Sequence, residues 1–347
     1  MKKPGMGEGE YSHARRSLAT TGPGGYARPM LRDLLLLTRA PLAASAASNL
    51  VVGALLLHPP GAAWRPEEQA ALALLALASC CAYWGGMVLN DRFDLERDRV
   101  LHPGRPLPSG RVSVTVATAL GAALLVAHVA LAALAGSLVD ESAGLRRGLT
   151  AGVLLAACVL AYDGGLKVQR LPGALAMGGC RFVNVLLGVF VLGLWPAGRG
   201  AAPPLLYALL LGIYVVYLTV LSFYEDSDAP PEAVATGCLG TALPPALVAL
   251  ATIAGPVPLH PLALVGALPL LFLALFQGFA VIERGTKARG ERGTRALLRG
   301  IWLFDIALLL GTGHWLAAAV AAAAAVGVMV VAMVVFAPPP AAPRAPS

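Results

Sequence analysis

The stretch GGMVLNDRFDLERDRVLHPGRPLPSG, residues 85–110, places Asn90, Asp91, Asp94 and Asp98 where an apolar run ends. If the helix continues through them, the aspartates fall at i, i+3 and i+7 and share an arc of about 60° at about 100° per residue. Glu96 points elsewhere. Three carboxylates on one stripe repel unless a cation lies between them. Their oxygens, with the amide oxygen of Asn90, suit Mg²⁺, which keeps several waters and takes its remaining ligands from substrate phosphates.

The spacing returns in LSFYEDSDAPPEAVATG, where Glu225, Asp228 and Glu232 repeat it and Asp226 lies off the stripe. Pro230 and Pro231 are expected to end the helix before Glu232, so Glu225 and Asp228 carry this second expectation. Two acidic stripes opening on one face would grip metal, diphosphate and metal between them. Whether one Mg²⁺ or two would bind stays open.

A diphosphate also needs protein cations. Arg105 and Arg111 lie in HPGRPLPSGR, Lys167 in YDGGLK and Arg181 in GGCRFVNVLLG. Arg181, with Asn184 one turn on, falls inside an apolar run, where a charge is costly without a partner. Arg97, Arg99 and the basic residues of 284–299 read instead as orientation signals. Phe93, Tyr217, Phe223 and Tyr224 are aromatics near these motifs in sequence.

The elements that must position these groups are apolar. Hydrophobic residues make up 57% of the 347-residue chain and charged residues 13%, and the mean hydropathy is +0.72. That charge is about half the usual 25% of a soluble protein, which points to a membrane as solvent. Runs long enough to span occur near 34–57, 69–89, 112–136, 147–163, 173–195, 204–224, 233–255 and 261–282. A last stretch, 297–336, is too long for one upright span, with Gly311-Thr-Gly-His314 as its candidate hinge; this gives nine or ten spans. The expected organisation is a disordered tail at 1–30, one membrane domain at 31–336 and a second tail at 337–347. The fold class is all-α, a multi-spanning helical bundle of about nine transmembrane helices around a central cavity.

Basic residues crowd the N-terminal segment and the loops after spans two, four and eight, whereas the opposite loops hold Arg65, Arg146, Arg147 and Arg199. The positive-inside rule then puts the N-terminus and both acidic motifs in the cytoplasm. The net charge of +7 serves orientation; basic residues are not interleaved with aromatics as in a nucleic-acid groove, so no nucleic-acid partner is expected. The five cysteines form no CxxC pair and the six histidines no HExxH spacing, which speaks against a zinc site or a disulfide framework.

Asn90-Asp91-x-x-Asp94-x-x-x-Asp98, His102-Pro103 and Arg105-Pro106-Leu107-Pro108-Ser109-Gly110 resemble the first aspartate motif, and the segment after it, of the UbiA superfamily of intramembrane prenyltransferases. Tyr162 and Lys167 resemble that family's Tyr…Lys pair between spans four and five. Tyr224-Glu225-Asp226-Ser227-Asp228 departs from its second motif, and with MGGCRFVNVLLG and LTVLSFYE looks most like the EboC-type branch.

The resemblance implies Mg²⁺-dependent transfer of a prenyl group from a polyprenyl diphosphate to a lipophilic or aromatic acceptor, with membrane lipid around it and a bacterial inner (plasma) membrane as its location. Asn90, Asp91, Asp94, Asp98, Glu225 and Asp228 would hold metal. Arg105, Arg111, Tyr162, Lys167, Arg181 and Asn184 would bind diphosphate, and Asp91, Asp94, Lys167 and Arg181 would act in catalysis. A CDP-alcohol phosphatidyltransferase is excluded because Asp163-Gly164 runs into Gly165-Leu166-Lys167 rather than DG-x-x-AR. A non-catalytic isoprenoid carrier is the alternative. An ion-coupled transporter would need an unpaired acid at mid-membrane, for which Asp305 is the one good candidate.

Overall fold

The computed structural model describes residues 27–194, 202–223, 231–255, 259–284 and 287–336. The helices among them are α1 (Ala27–Leu37), α2 (Ala44–Leu55), α3 (Pro66–Phe93), α4 (Leu95–Leu101), α5 (Val114–Val139), α6 (Ala143–Gly164), α7 (Arg170–Val191), α8 (Ala202–Ser222), α9 (Pro231–Ala254), α10 (Leu264–Arg284), α11 (Lys287–Gly311) and α12 (Trp315–Val335). Nine spans among these residues are long and apolar enough to cross a membrane, the first running from α1 through a short 3₁₀ turn into α2. The bundle is all-α, as expected. Helix begins at Ala27, four residues inside the expected tail.

Local chemistry explains the helix starts nearest the motif. At the head of α3, Arg65 backbone N–H donates to Glu68 Oε2 at 3.0 Å, Pro66 occupies the first turn and Glu67 and Glu68 follow. Proline and acids suit that turn because its N–H groups have no helical partner. Ser113 caps α5 by accepting from the Val116 N–H at 3.2 Å.

Close packing of α5 against α6 rests on small residues. A Cβ on Gly136 would collide with the Gly144 carbonyl, and one on Gly148 with the Ala132 carbonyl. Gly144, Gly148 and Gly152 recur every fourth residue, so one smooth stripe lets the backbones touch where lipid offers no hydrophobic drive.

Two cores form. One joins Leu50, Leu75, Ala132, Leu155 and Leu187 of α2, α3, α5, α6 and α7. The other joins Leu211, Tyr214, Leu270, Leu297 and Phe304 of α8, α10 and α11. Val52 and Val185 belong to the second although their helices serve the first, so α2 and α7 form the seam between the halves.

The 297–336 stretch resolves into the end of α11 and all of α12, broken at the expected hinge. Gly313 takes φ 82°, a left-handed turn that glycine enters without penalty, and the His314 N–H reaches the Leu309 carbonyl at 2.8 Å. Pro231 opens α9 and leaves Glu232 exposed in its first turn, so proline here starts a helix, as its fixed φ and missing N–H allow. The tail segments 1–26 and 337–347 lie outside the described residues.

Candidate active site

The first motif sits on a joint. Asn90 and Asp91 end α3, Asp94 joins α3 to α4 with φ −87° and ψ 6°, and Asp98 lies in α4. Helical bonds run across the joint: the Asp94 N–H donates to the Asn90 carbonyl at 3.0 Å, and the Asp98 N–H to the Asp94 carbonyl at 2.8 Å. The acidic side is kept, but the axis breaks beneath it.

Each aspartate meets its own cation. Arg39 Nη2 stands 3.5 Å from Asp91 Oδ1. Lys167 Nζ is 2.9 Å from Asp94 Oδ1 and also donates to Asn90 Oδ1 at 3.0 Å. Arg105 Nη1 is 2.6 Å from Asp98 Oδ2. Arg105 reaches Asp98 because Leu107 and Val112, both buried with Leu37 and Val88, pin the Pro-rich turn against α1 and α3.

Arg111 turns another way. Its Nε donates to both Asp33 oxygens at 3.0 and 3.1 Å and its Nη2 to the Gly104 carbonyl at 3.0 Å, so it fastens the turn to α1. The expected diphosphate contact for Arg111 is not part of this arrangement; Asp33 supplied a nearer carboxylate that sequence spacing did not reveal.

Arg181 of α7 donates to Asn49 Oδ1 at 3.0 Å and lies 5.7 Å above the Tyr83 ring. Asn49 in turn donates to Asp305 at 2.9 Å, and Ser48 and Tyr207 donate to the same carboxylate. Asp305 is therefore buried and fully engaged, not the lone mid-membrane acid that a transporter would need. Asn184 acts as a strut: it accepts from Ser79 at 2.6 Å and donates to the Ala46 carbonyl at 2.8 Å.

Two chambers open behind the motif. The larger, about 360 Å³, is lined by Arg39, Asn90, Tyr162, Arg181, Arg295 and Arg299 together with apolar side chains of α8, α11 and α12. The smaller, about 80 Å³, lies among α2, α3, α6 and α7 and includes Tyr162, Asp163, Cys180 and Asn184. Tyr83, Met87, Tyr162, Met177 and Arg181 border both. Ser222, the last residue of α8, lines the larger chamber. Tyr224, Glu225, Asp226 and Asp228 themselves lie outside the described residues.

Some groups at the chambers were not singled out from sequence. Arg39, Arg295 and Arg299 read as orientation signals, and Asp163 served only to exclude another family. The signals available were an Arg-Ala-Pro at the entrance to an apolar run and an acid four residues before Lys167. Conversely, the aromatic walls are Tyr83, Tyr162, Trp302 and Phe336, whereas the Phe93 side chain is exposed and Tyr217 packs against Gly240.

A magnesium ion suits this donor set. Asp91 Oδ1 is buried without a hydrogen-bond partner; the Arg39 guanidinium offsets its charge from 3.5 Å but makes no hydrogen bond to it, which leaves a lone pair for a metal. Beside it Asn90 offers a second hard oxygen ligand. Among the described residues no three His, Cys, Asp or Glu side chains cluster as a metal group; Asp94 and Asp98 are drawn to Lys167 and Arg105.

With this geometry in place, the chain compares with known proteins as follows. Residues 46–164 match the UbiA prenyltransferase family. Over 190 residues the chain is 33% identical to the digeranylgeranylglyceryl phosphate synthase of Ignicoccus hospitalis, covering 54% of this chain and 59% of that one. Over 83 residues it is 45% identical to the synthase of the same name from Methanopyrus kandleri, covering 24% and 28%. The chain thus matches less than two thirds of the length of these curated relatives.

The fold extends further. A structure described as digeranylgeranylglyceryl phosphate synthase in membranes superimposes with a TM-score of 0.56 at 18% identity, covering 82% of this chain and 99% of that one. The apo structure of a UbiA homolog from Aeropyrum pernix gives 0.56 at 19% identity, covering 79% and 98%. The chain is an integral membrane protein that shares the fold of these structures, and its segment 46–164 matches the UbiA prenyltransferase family.

Proposed function

We propose that this protein transfers a prenyl group from a polyprenyl diphosphate to a lipophilic acceptor inside the membrane. The observation that carries the reading is the meeting of Lys167 with Asn90 and Asp94 at the rim of a large, mainly apolar chamber. A substrate with an anionic head and a hydrocarbon tail is divided at that rim in the same way. The relatives named for making digeranylgeranylglyceryl phosphate favour a geranylgeranyl donor and a glyceryl phosphate acceptor, with aromatic acceptors as the alternative.

Asp91 and Asn90 would hold Mg²⁺, joined by Asp94 and Asp98, and by Glu225 and Asp228 from the second motif. The ion, when bound, neutralises the diphosphate and makes it a better leaving group. Lys167 holds the leaving oxygens as the C1–O bond breaks, a preorganised charge of the kind that stabilises transition states most. Arg39, Arg181, Arg295 and Arg299 hold the chamber positive toward the anion. Tyr83 and Tyr162 present ring faces to the allylic cation, while the apolar walls exclude water that would quench it. The basic-loop asymmetry supports a cytoplasmic position for this rim and the N-terminus.

A second reading, an isoprenoid carrier, is favoured by one feature: Asp94 and Asp98 are already neutralised by Lys167 and Arg105. Purified protein in lipid nanodiscs, given radiolabelled geranylgeranyl diphosphate, Mg²⁺ and an alkylated glyceryl phosphate, separates the two. Prenylated product with released diphosphate supports transfer; saturable donor binding without release supports the carrier.

A further inference from the structure

Asp163 is buried at 3% exposure, borders the smaller chamber and leaves its Oδ1 without a hydrogen-bond partner. Lys167, four residues on in the 3₁₀ turn after α6, does not satisfy it. Its Nζ lies 3.9 Å away, while the same ammonium contacts Asn90 Oδ1 at 3.0 Å, the Asn90 carbonyl at 3.3 Å and Asp94 Oδ1 at 2.9 Å. An ammonium has three donors, and these contacts use them. Asp163 lines the chamber, and its Oδ1, closed off beside it, keeps a lone pair unspent.

A buried acceptor in that state calls for a ligand donor. An alcohol or phenol O–H can supply it; a C–H cannot. The chamber lies beside the larger one and shares the wall of Tyr83, Met87, Tyr162, Met177 and Arg181 with it. A hydroxyl bonded to Asp163 would thus lie at the border with the chamber proposed to take the donor.

We infer that Asp163 is the proton acceptor of the reaction and that the acceptor substrate is a hydroxyl-bearing lipid whose reacting end enters the smaller chamber; this rests on the transferase reading above. In the step, the hydroxyl oxygen forms a bond to C1 of the prenyl group. The C1–O bond to diphosphate breaks, its electron pair leaving with the diphosphate, and the hydroxyl proton passes to Asp163. The products are a prenyl ether, diphosphate and protonated Asp163.

The test uses the full chain in nanodiscs, an alkylated glyceryl phosphate with one free hydroxyl, its O-methyl ether, and a non-reacting geranylgeranyl thiodiphosphate to read donor binding. Asp163→Asn is expected to lower kcat at least 100-fold, within the about 10²–10⁴-fold span of general-base catalysis. Its thiodiphosphate Kd should stay within about twofold of the parent, and Asp163→Glu should recover part of the rate. Independently of any variant, the ether should bind the parent protein at least about tenfold more weakly than the alcohol, because it offers no proton. Unchanged kcat in Asp163→Asn, or equal binding of ether and alcohol, overturns the inference. Loss of donor binding in step with kcat also overturns it, by assigning Asp163 to the metal–diphosphate site. A parent protein that releases no diphosphate from geranylgeranyl diphosphate overturns the transferase reading itself, and the inference with it.

Discussion

Lys167 Nζ lies 2.9 Å from Asp94 Oδ1, so the rim of the chamber holds an ion pair between a residue expected to bind metal and one expected to bind diphosphate. The pair resolves an electrostatic conflict, since Asp91, Asp94 and Asp98 would otherwise repel one another. On the proposed reading, substrate and metal would exchange with it, the carboxylate of Asp94 turning to the dication and the ammonium of Lys167 to the diphosphate. Both original partners keep an opposite charge.

That exchange makes Lys167→Met a variant with two opposite effects. Turnover should fall about 10²–10³-fold, the usual cost of one lost transition-state donor. Mn²⁺ binding, read by electron paramagnetic resonance, should tighten because Asp94 no longer has a competing cation. Weaker Mn²⁺ binding would show that Lys167 does not compete for the carboxylate.

Asp91 has a buried oxygen without a hydrogen-bond partner, which suits it to hold a metal. Asp91→Ala, and likewise Asp94→Ala, should abolish Mg²⁺-dependent diphosphate binding while leaving membrane insertion intact. Glu225→Ala should have a smaller effect. Isothermal titration with a prenyl thiodiphosphate, with and without Mg²⁺, checks all three.

Asp305 has a structural task. It accepts from Ser48, Asn49 and Tyr207, and through Asn49 it reaches Arg181. Asp305→Ala should cost about 3–5 kcal/mol, the range for breaking one side of a buried charged network. Asp305→Asn should cost less, since it still accepts. Denaturation in detergent followed by tryptophan fluorescence measures the difference.

Packing at the α5–α6 seam gives a contrast of a different kind. Gly148→Leu should prevent folding, because even a Cβ there meets the Ala132 backbone. Gly327, exposed on α12 with nothing near its would-be Cβ, should accept alanine with a gain of about 0.5–1 kcal/mol. Monodispersity on size exclusion and thermal midpoints report both outcomes.

Much of this was legible in the residues. Long apolar runs and basic-loop asymmetry depend on the solvent alone, so the span number and the 311–314 hinge follow from sequence. The first acidic motif was legible because its ligands are local, within nine residues of one another. The rest depends on which helices meet. Arg39 reaches Asp91 from another span, and Arg111 finds Asp33 across 78 positions. Asp163 matters only because Lys167 spends its donors on α3, which no spacing along one helix discloses. Arg295 and Arg299 look like topology signals until α11 folds them over the chamber.

The central claim is tested most directly by a crystal of the protein grown with Mn²⁺ and a geranylgeranyl thiodiphosphate, with anomalous scattering used to locate the metal. The account predicts Mn²⁺ within ligand distance of Asp91 and Asn90, the diphosphate against Lys167 and the isoprenoid chain in the larger chamber. Manganese elsewhere, or an isoprenoid lying outside both chambers, would contradict it.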